Sequence, residues 1–73
     1  SNGDSEEINK KIMFIKRKIS ELEDESNQFQ NNLEFFSSSS SENPLFKNVS
    51  SKIESINEKI EFWKARLRKV KSA

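Results

Sequence analysis

The chain has 73 residues, 32% of them hydrophobic and 34% charged. That is room for one small domain, with too little apolar material for a layered globule. It contains no Cys and no His, which excludes a disulfide framework, a thiolate metal site and the usual general base. A single Gly and a single Pro leave little from which to build a phosphate-binding loop or tight β-hairpin turns.

Residues 1–4 read as a disordered N-terminus or a tag remnant. Ser1-Asn2 resembles a cloning scar, and on that reading the chain is a piece cut from a longer protein. No apolar run approaches the length of a membrane span, and the N-terminus shows no signal-peptide pattern.

The first predicted helix spans residues 5–37. Its apolar positions are Ile8, Ile12, Ile15, Ile19, Leu22, Phe29, Leu33 and Phe36, with Ser26 filling the one polar step. Steps alternating between four and three are the a/d pattern of a heptad. Asp4 followed by Glu7 reads as a capping box at its start. Residues 38–43 follow as a Ser-rich turn. The second helix is predicted over 44–71, with Asn43 as its cap and Pro44 at its first position, where a missing N–H costs nothing. Its seam is Phe46, Val49, Ile53, Ile56, Ile60, Trp63, Leu67 and Val70. Lys69 and Lys71 place positive charge at its end, where the helix dipole favours it.

If the chain folds back at Ser41, facing residues have numbers that sum to about 82, and every a position meets a d position. A random linker would not keep both seams in step. The serines therefore read as a turn rather than as a flexible spacer between helices of separate assemblies. The expected fold is all-α: two long helices in an antiparallel, coiled-coil-like hairpin, with dimerisation into a four-helix arrangement as a further expectation. Ser26 is either a small residue that lets bulky layers interdigitate or a weak spot in the seam.

Charge is unevenly spread although the net is only +1. Lys10, Lys11, Lys16, Arg17 and Lys18 lie in one stretch without an acid, and Lys64, Arg66, Arg68, Lys69 and Lys71 in another. The hairpin brings both stretches to its open end, within about 16 Å of helix length. There Lys16 lies opposite Lys64 and Lys18 opposite Arg66, repulsive pairs costing a few tenths of a kcal/mol each. The end is either a solvated basic face or a site for an acidic partner: a nucleic-acid backbone, an acidic protein, or the acidic part of another copy. Phe14, Phe35 and Phe62 occupy c positions and Met13 a b position, all outside the seam. They either broaden the apolar stripe or form a further interface, and we take the second reading. Phe14 and Trp63 lie among the basic residues, but Trp63 is a seam position and reads as core rather than as a base-stacking platform.

No catalytic chemistry is legible. Glu23, Asp24 and Glu25 are consecutive on a helix and point in different directions, so they form no metal cage. No serine has a His or a Gly-flanked elbow to activate it. No catalytic residue, cofactor, metal, small-molecule substrate or membrane association is expected.

The stretch from Leu33 to Lys71 resembles a recurring C-terminal segment of bacterial proteins, notably from the Bacteroidetes group, that carry the domain of unknown function 349. The resemblance lies in the Leu33–Phe36 helix end, the small-residue turn, Asn43-Pro44-Leu45, and a second helix with Trp63-Lys64 and a basic tail. It implies a cytoplasmic bacterial protein of repeated helical modules, without an agreed activity. The expected function is a noncatalytic interaction or structural module, self-associating or docking on a larger parent protein. The alternative is a nucleic-acid- or ribosome-binding arm that uses the basic end.

Overall fold

A computed structural model describes residues 2–36 and 42–72 of the chain. Two α-helices, α1 (Asn2–Glu34) and α2 (Pro44–Ser72), run the length of the molecule and pack side by side as an antiparallel hairpin. The hairpin measures 58 × 15 × 12 Å. Residues 37–41, which include most of the predicted Ser-rich turn, lie outside the described residues.

The helix ends show why the elements start and stop where they do. Helix α1 begins at Asn2, three residues before the predicted start, so Asp4 sits in its first turn and is not its cap. An acid there still complements the helix dipole. Nothing between Asn2 and Ser5 breaks the helix, because one Gly near an end costs only about 1 kcal/mol. Glu7 lies 4.0 Å from Lys10, an exposed pair of little energetic weight. At its other end α1 stops at Glu34, short of the predicted Ser37. Phe35 and Phe36 donate back to the Asn32 and Leu33 carbonyls at 3.2 and 2.9 Å, a tightened i→i−3 turn that satisfies late carbonyls.

Helix α2 starts as its sequence dictates. The Asn43 Oδ1 accepts the Leu45 N–H at 2.9 Å, and its carbonyl accepts the first helical bond, from the Lys47 N–H, at 3.0 Å. The Lys47 ammonium reaches Glu42 at 3.1 Å across this cap. The far end carries Lys69 and Lys71, and the Ser72 hydroxyl donates to the Lys69 carbonyl at 3.0 Å.

The core is small. Ile15, Ile19, Ile56 and Ile60 are its buried apolar residues, with Leu22, Phe29, Trp63, Leu67 and Val70 packed against them. All nine are predicted seam positions. The cross-helix contacts of Ser26 with Asn57 and of Phe29 with Lys52 have numbers summing to 83 and 81, either side of the expected 82.

Ser26 is buried to 3% exposure, so its hydroxyl needs partners. It donates to the Asn57 Oδ1 at 3.3 Å and accepts from the Gln30 Nε2 at 3.1 Å. The two readings of Ser26 are thus resolved into a third: a polar link between the helices, satisfied by side chains that also reach water. Among the described residues no buried side-chain polar atom lacks a partner.

Candidate functional site

The hairpin has two long flanks, and they differ in chemistry. Around a heptad wheel, c and g positions lie on one side of the a/d seam and b and e positions on the other. The structure sorts the side chains accordingly. One groove runs along the c/g side at the open end, has a volume of about 650 Å³, and is lined by Lys10, Lys11, Phe14, Ile15, Phe62, Trp63, Arg66 and Val70. A second, of about 380 Å³, lies on the b/e side and is lined by Glu23, Ser26, Asn27, Gln30, Asn57, Ile60, Glu61 and Lys64. The first is aromatic and rimmed by cations; the second is polar.

The aromatic groove is built around Trp63. Its ring is half-buried against the core, and both Phe14 and Phe62 meet it edge-on, with centroids 6.0 and 5.4 Å away. Edge-to-face packing of this kind contributes about 0.5–1.5 kcal/mol per pair beyond area burial. The two Phe rings nevertheless remain 59% and 60% exposed. They cover one edge of the tryptophan and leave their own outer faces in water. Trp63 is thus core on one side, as predicted, and floor of the groove on the other.

Of the four residues singled out as an apolar interface, the structure brings two together. Phe14 and Phe62 share the groove. Phe35 is 85% exposed and lies 21 residues on, just past the end of α1 and about 31 Å away. Met13, 63% exposed, does not line the groove and belongs by heptad position to the polar flank. Sequence reasoning missed Leu45, which is 61% exposed and occupies a g position, on the same flank as Phe14, Phe62 and Phe35. Its g position, one residue before the Phe46 seam position, was the available signal.

The ten basic residues all lie at the open end, yet they do not share one face. Lys10, Lys11 and Arg66 rim the aromatic groove, and Lys18 and Lys69 lie on the same flank by heptad position. Lys64 lines the polar groove, and Lys16, Arg68 and Lys71 belong to that flank. Arg17, at an f position, is on the back of α1. The repulsive pairs fall one on each flank, Lys18 with Arg66 and Lys16 with Lys64. Lys18 and Lys64 are half-buried, as long charged side chains beside an apolar seam commonly are. Among the described residues only Lys10 of the ten has an ion-pair partner.

Among the described residues no group of three His, Cys, Asp or Glu side chains is placed to hold a metal ion, and no helix is long and apolar enough to cross a membrane. The chain matches no family model, no curated protein and no solved structure.

Proposed function

We propose that the chain is a noncatalytic interaction module whose working surface is the aromatic, cation-rimmed groove at the open end of the hairpin. The observation that carries this is the exposure of Phe14 and Phe62 on either side of Trp63. Two large aromatic rings held more than half in water, where only four apolar residues are buried among the described residues, are a poor use of hydrophobic surface unless something else covers them. Trp, Phe and Arg in one place are also the residue types on which binding energy concentrates at protein interfaces. The cations around the rings select for a partner with an apolar anchor and acidic neighbours. Under this reading the hairpin serves a cytoplasmic bacterial protein made of helical modules, the origin implied by the Leu33–Lys71 resemblance.

A photo-reactive benzoylphenylalanine at position 62 tests it. In the purified natural protein, illumination is expected to give a protein adduct through the groove, within one chain or between chains. The same group at Ser20, on the polar flank, is expected to give none. Equal adducts from both positions, or none from position 62, would sink the proposal.

A second reading is favoured by one observation: nine of the ten cations have no ion-pair partner among the described residues. A positive field left open in this way attracts phosphate backbones without reading their sequence. Because the cations wrap around the end of the hairpin, a nucleic acid would be gripped at a tip and not laid along a face.

A further inference from the structure

Resting on the reading of the groove as an interaction surface, we propose that its occupant is a second copy of this chain. The two copies pack antiparallel across a two-fold axis, so that Phe14 and Phe62 of one meet Phe35 and Leu45 of the other.

The first support is the distribution of exposed apolar side chains. Among the described residues five large hydrophobic side chains are exposed; Phe14, Leu45 and Phe62 lie on the c/g flank of their helices, and Phe35, one residue past the end of α1, continues that register as a c position. They form two pairs. Phe14 and Phe62 stand at the open end, and Phe35 and Leu45 at the turn end. A two-fold axis perpendicular to the helices lays α1 on α1 and α2 on α2, each antiparallel, and exchanges the two ends.

This geometry sets a condition that could have failed. The axis must pass midway between Phe14 and Phe35 on α1, near residues 24 and 25. It must also pass midway between Leu45 and Phe62 on α2, near residues 53 and 54. In the hairpin, residue 25 faces residue 57, so the two midpoints differ by about 6 Å, roughly one helical turn. A single axis placed between them leaves Phe14 with Phe35, and Leu45 with Phe62, each about 6 Å from exact register, about a turn of helix.

Charge selects the antiparallel arrangement. On this flank the open end carries Lys11, Lys18, Arg66 and Lys69, and a parallel pairing would stack these cations on their own copies. The antiparallel pairing takes each of these cations away from its own copy, with Lys18 coming near Asn32 and Lys59 near Asn48. Around the axis Glu21 falls opposite Gln28 and Glu25 beside its own copy, with Lys52 and Lys59 of α2 on the same flank to offset that charge. The area also suffices: a face 58 Å long and 12 to 15 Å across offers on the order of 700–900 Å², against about 800 Å² per partner in a standard interface.

Sedimentation equilibrium of the full chain from micromolar to millimolar concentration reads the outcome. The expected species has twice the 8.5 kDa of one chain. Phe35→Ser should weaken association as strongly as Phe62→Ser, although Phe35 lies about 31 Å from the groove. Each is expected to cost roughly tenfold per contact, and roughly a hundredfold per dimer because the axis repeats the contact. In a chain without cysteine, Ser55→Cys places a thiol on this flank close to the axis and should form an inter-chain disulfide on oxidation, whereas Ser20→Cys should not. A monomer throughout, association indifferent to Phe35→Ser, or cross-linking through Ser20→Cys in place of Ser55→Cys would each overturn the second copy as occupant. An adduct at position 62 in a chain that stays monomeric would overturn this inference while leaving the interaction surface standing.

Discussion

Replacing Ser26 by Ala measures what the polar link in the seam contributes. The hydroxyl makes two hydrogen bonds, one to Asn57 at 3.3 Å and one from Gln30 at 3.1 Å. The first is long for an O–H donor. Asn57 and Gln30 are exposed residues, so both can turn to water when the hydroxyl is gone. The loss should then sit at the low end of the usual 0.5–1.5 kcal/mol per bond, about 1 kcal/mol for the two together. Ala recovers about half of that through its better helix propensity. It also relieves the chain of burying a hydroxyl at a position 3% exposed. Ser26→Ala should therefore cost about 0.5 kcal/mol, a factor of roughly two in the folding equilibrium. Urea unfolding followed by circular dichroism at 222 nm checks it, with the slope against denaturant expected to stay constant. A loss above about 2 kcal/mol would refute the reasoning, because it would mean that Asn57 or Gln30 is stranded and not rehydrated. An unchanged stability for Ser26→Ala combined with a large cost for Asn57→Ala would refute it too, since the two substitutions remove the same bond.

Four further outcomes follow from the geometry. Cysteine pairs at Phe29 and Ile53, and separately at Ile15 and Leu67, should close disulfides within one chain; links formed only between chains would show that the helices pair intermolecularly. Asn43→Ala removes the cap on the Leu45 N–H and should cost about 1 kcal/mol in the same urea assay, with Asn43→Gly losing less. Ile60→Ala truncates one of four buried apolar side chains and should cost about 2–5 kcal/mol, so the helical signal should collapse at low protein concentration. If the basic end binds nucleic acid through four to six phosphates, log affinity against log salt should slope at roughly −3 to −5 and flatten when Lys16, Lys18, Lys64 and Arg66 become Gln; no binding to DNA or RNA at low salt would end that reading.

The fold was legible because the seam is nearly unbroken. A step of three or four from Ile8 to Phe36 and again from Phe46 to Val70 specifies two helices, the shared register across the serines favours packing them seam to seam, and turn chemistry at Asn43-Pro44 places the second start correctly. The first start was misplaced because a good capping pair, Asp4 and Glu7, lay inside a helix that had no reason to wait for it. Capping preference is worth about 1 kcal/mol, and a few more helical residues outweigh it. The site was legible only in part. The c positions of Phe14 and Phe62 mark one flank, but grouping Met13 with them merged two sides of the hairpin. The basic residues were counted by stretch of sequence, and a stretch of eleven helical residues visits every face. The link from Ser26 to Asn57 was not legible, because an e-position Asn carries no sign that its carbonyl reaches across the seam.

The dimensions of the hairpin bear on why its exposed aromatics lie where they do. A compact monomer of 8.5 kDa exposes about 4,700 Å² of surface, and this chain exposes 5712 Å². The excess, on the order of 1,000 Å², comes from the molecule being two helices thick in one direction and one helix thick in the other. A two-helix layer can bury only the stripe where its helices touch, so each helix keeps two flanks in water whatever its sequence. On the polar flank the sequence meets that condition with Glu23, Gln30, Asn57, Glu61 and Lys64, and Met13 is the one large apolar side chain exposed there among the described residues. On the other flank it does the opposite and puts four large apolar side chains where no second layer exists within the chain. One more helical layer over that face would remove an area close to the excess, and would leave the polar flank facing water. If the chain is an interaction module, as proposed, the asymmetry between the flanks gives the side that a partner covers, and the separation of its apolar pairs to opposite ends favours a cover as long as the hairpin itself.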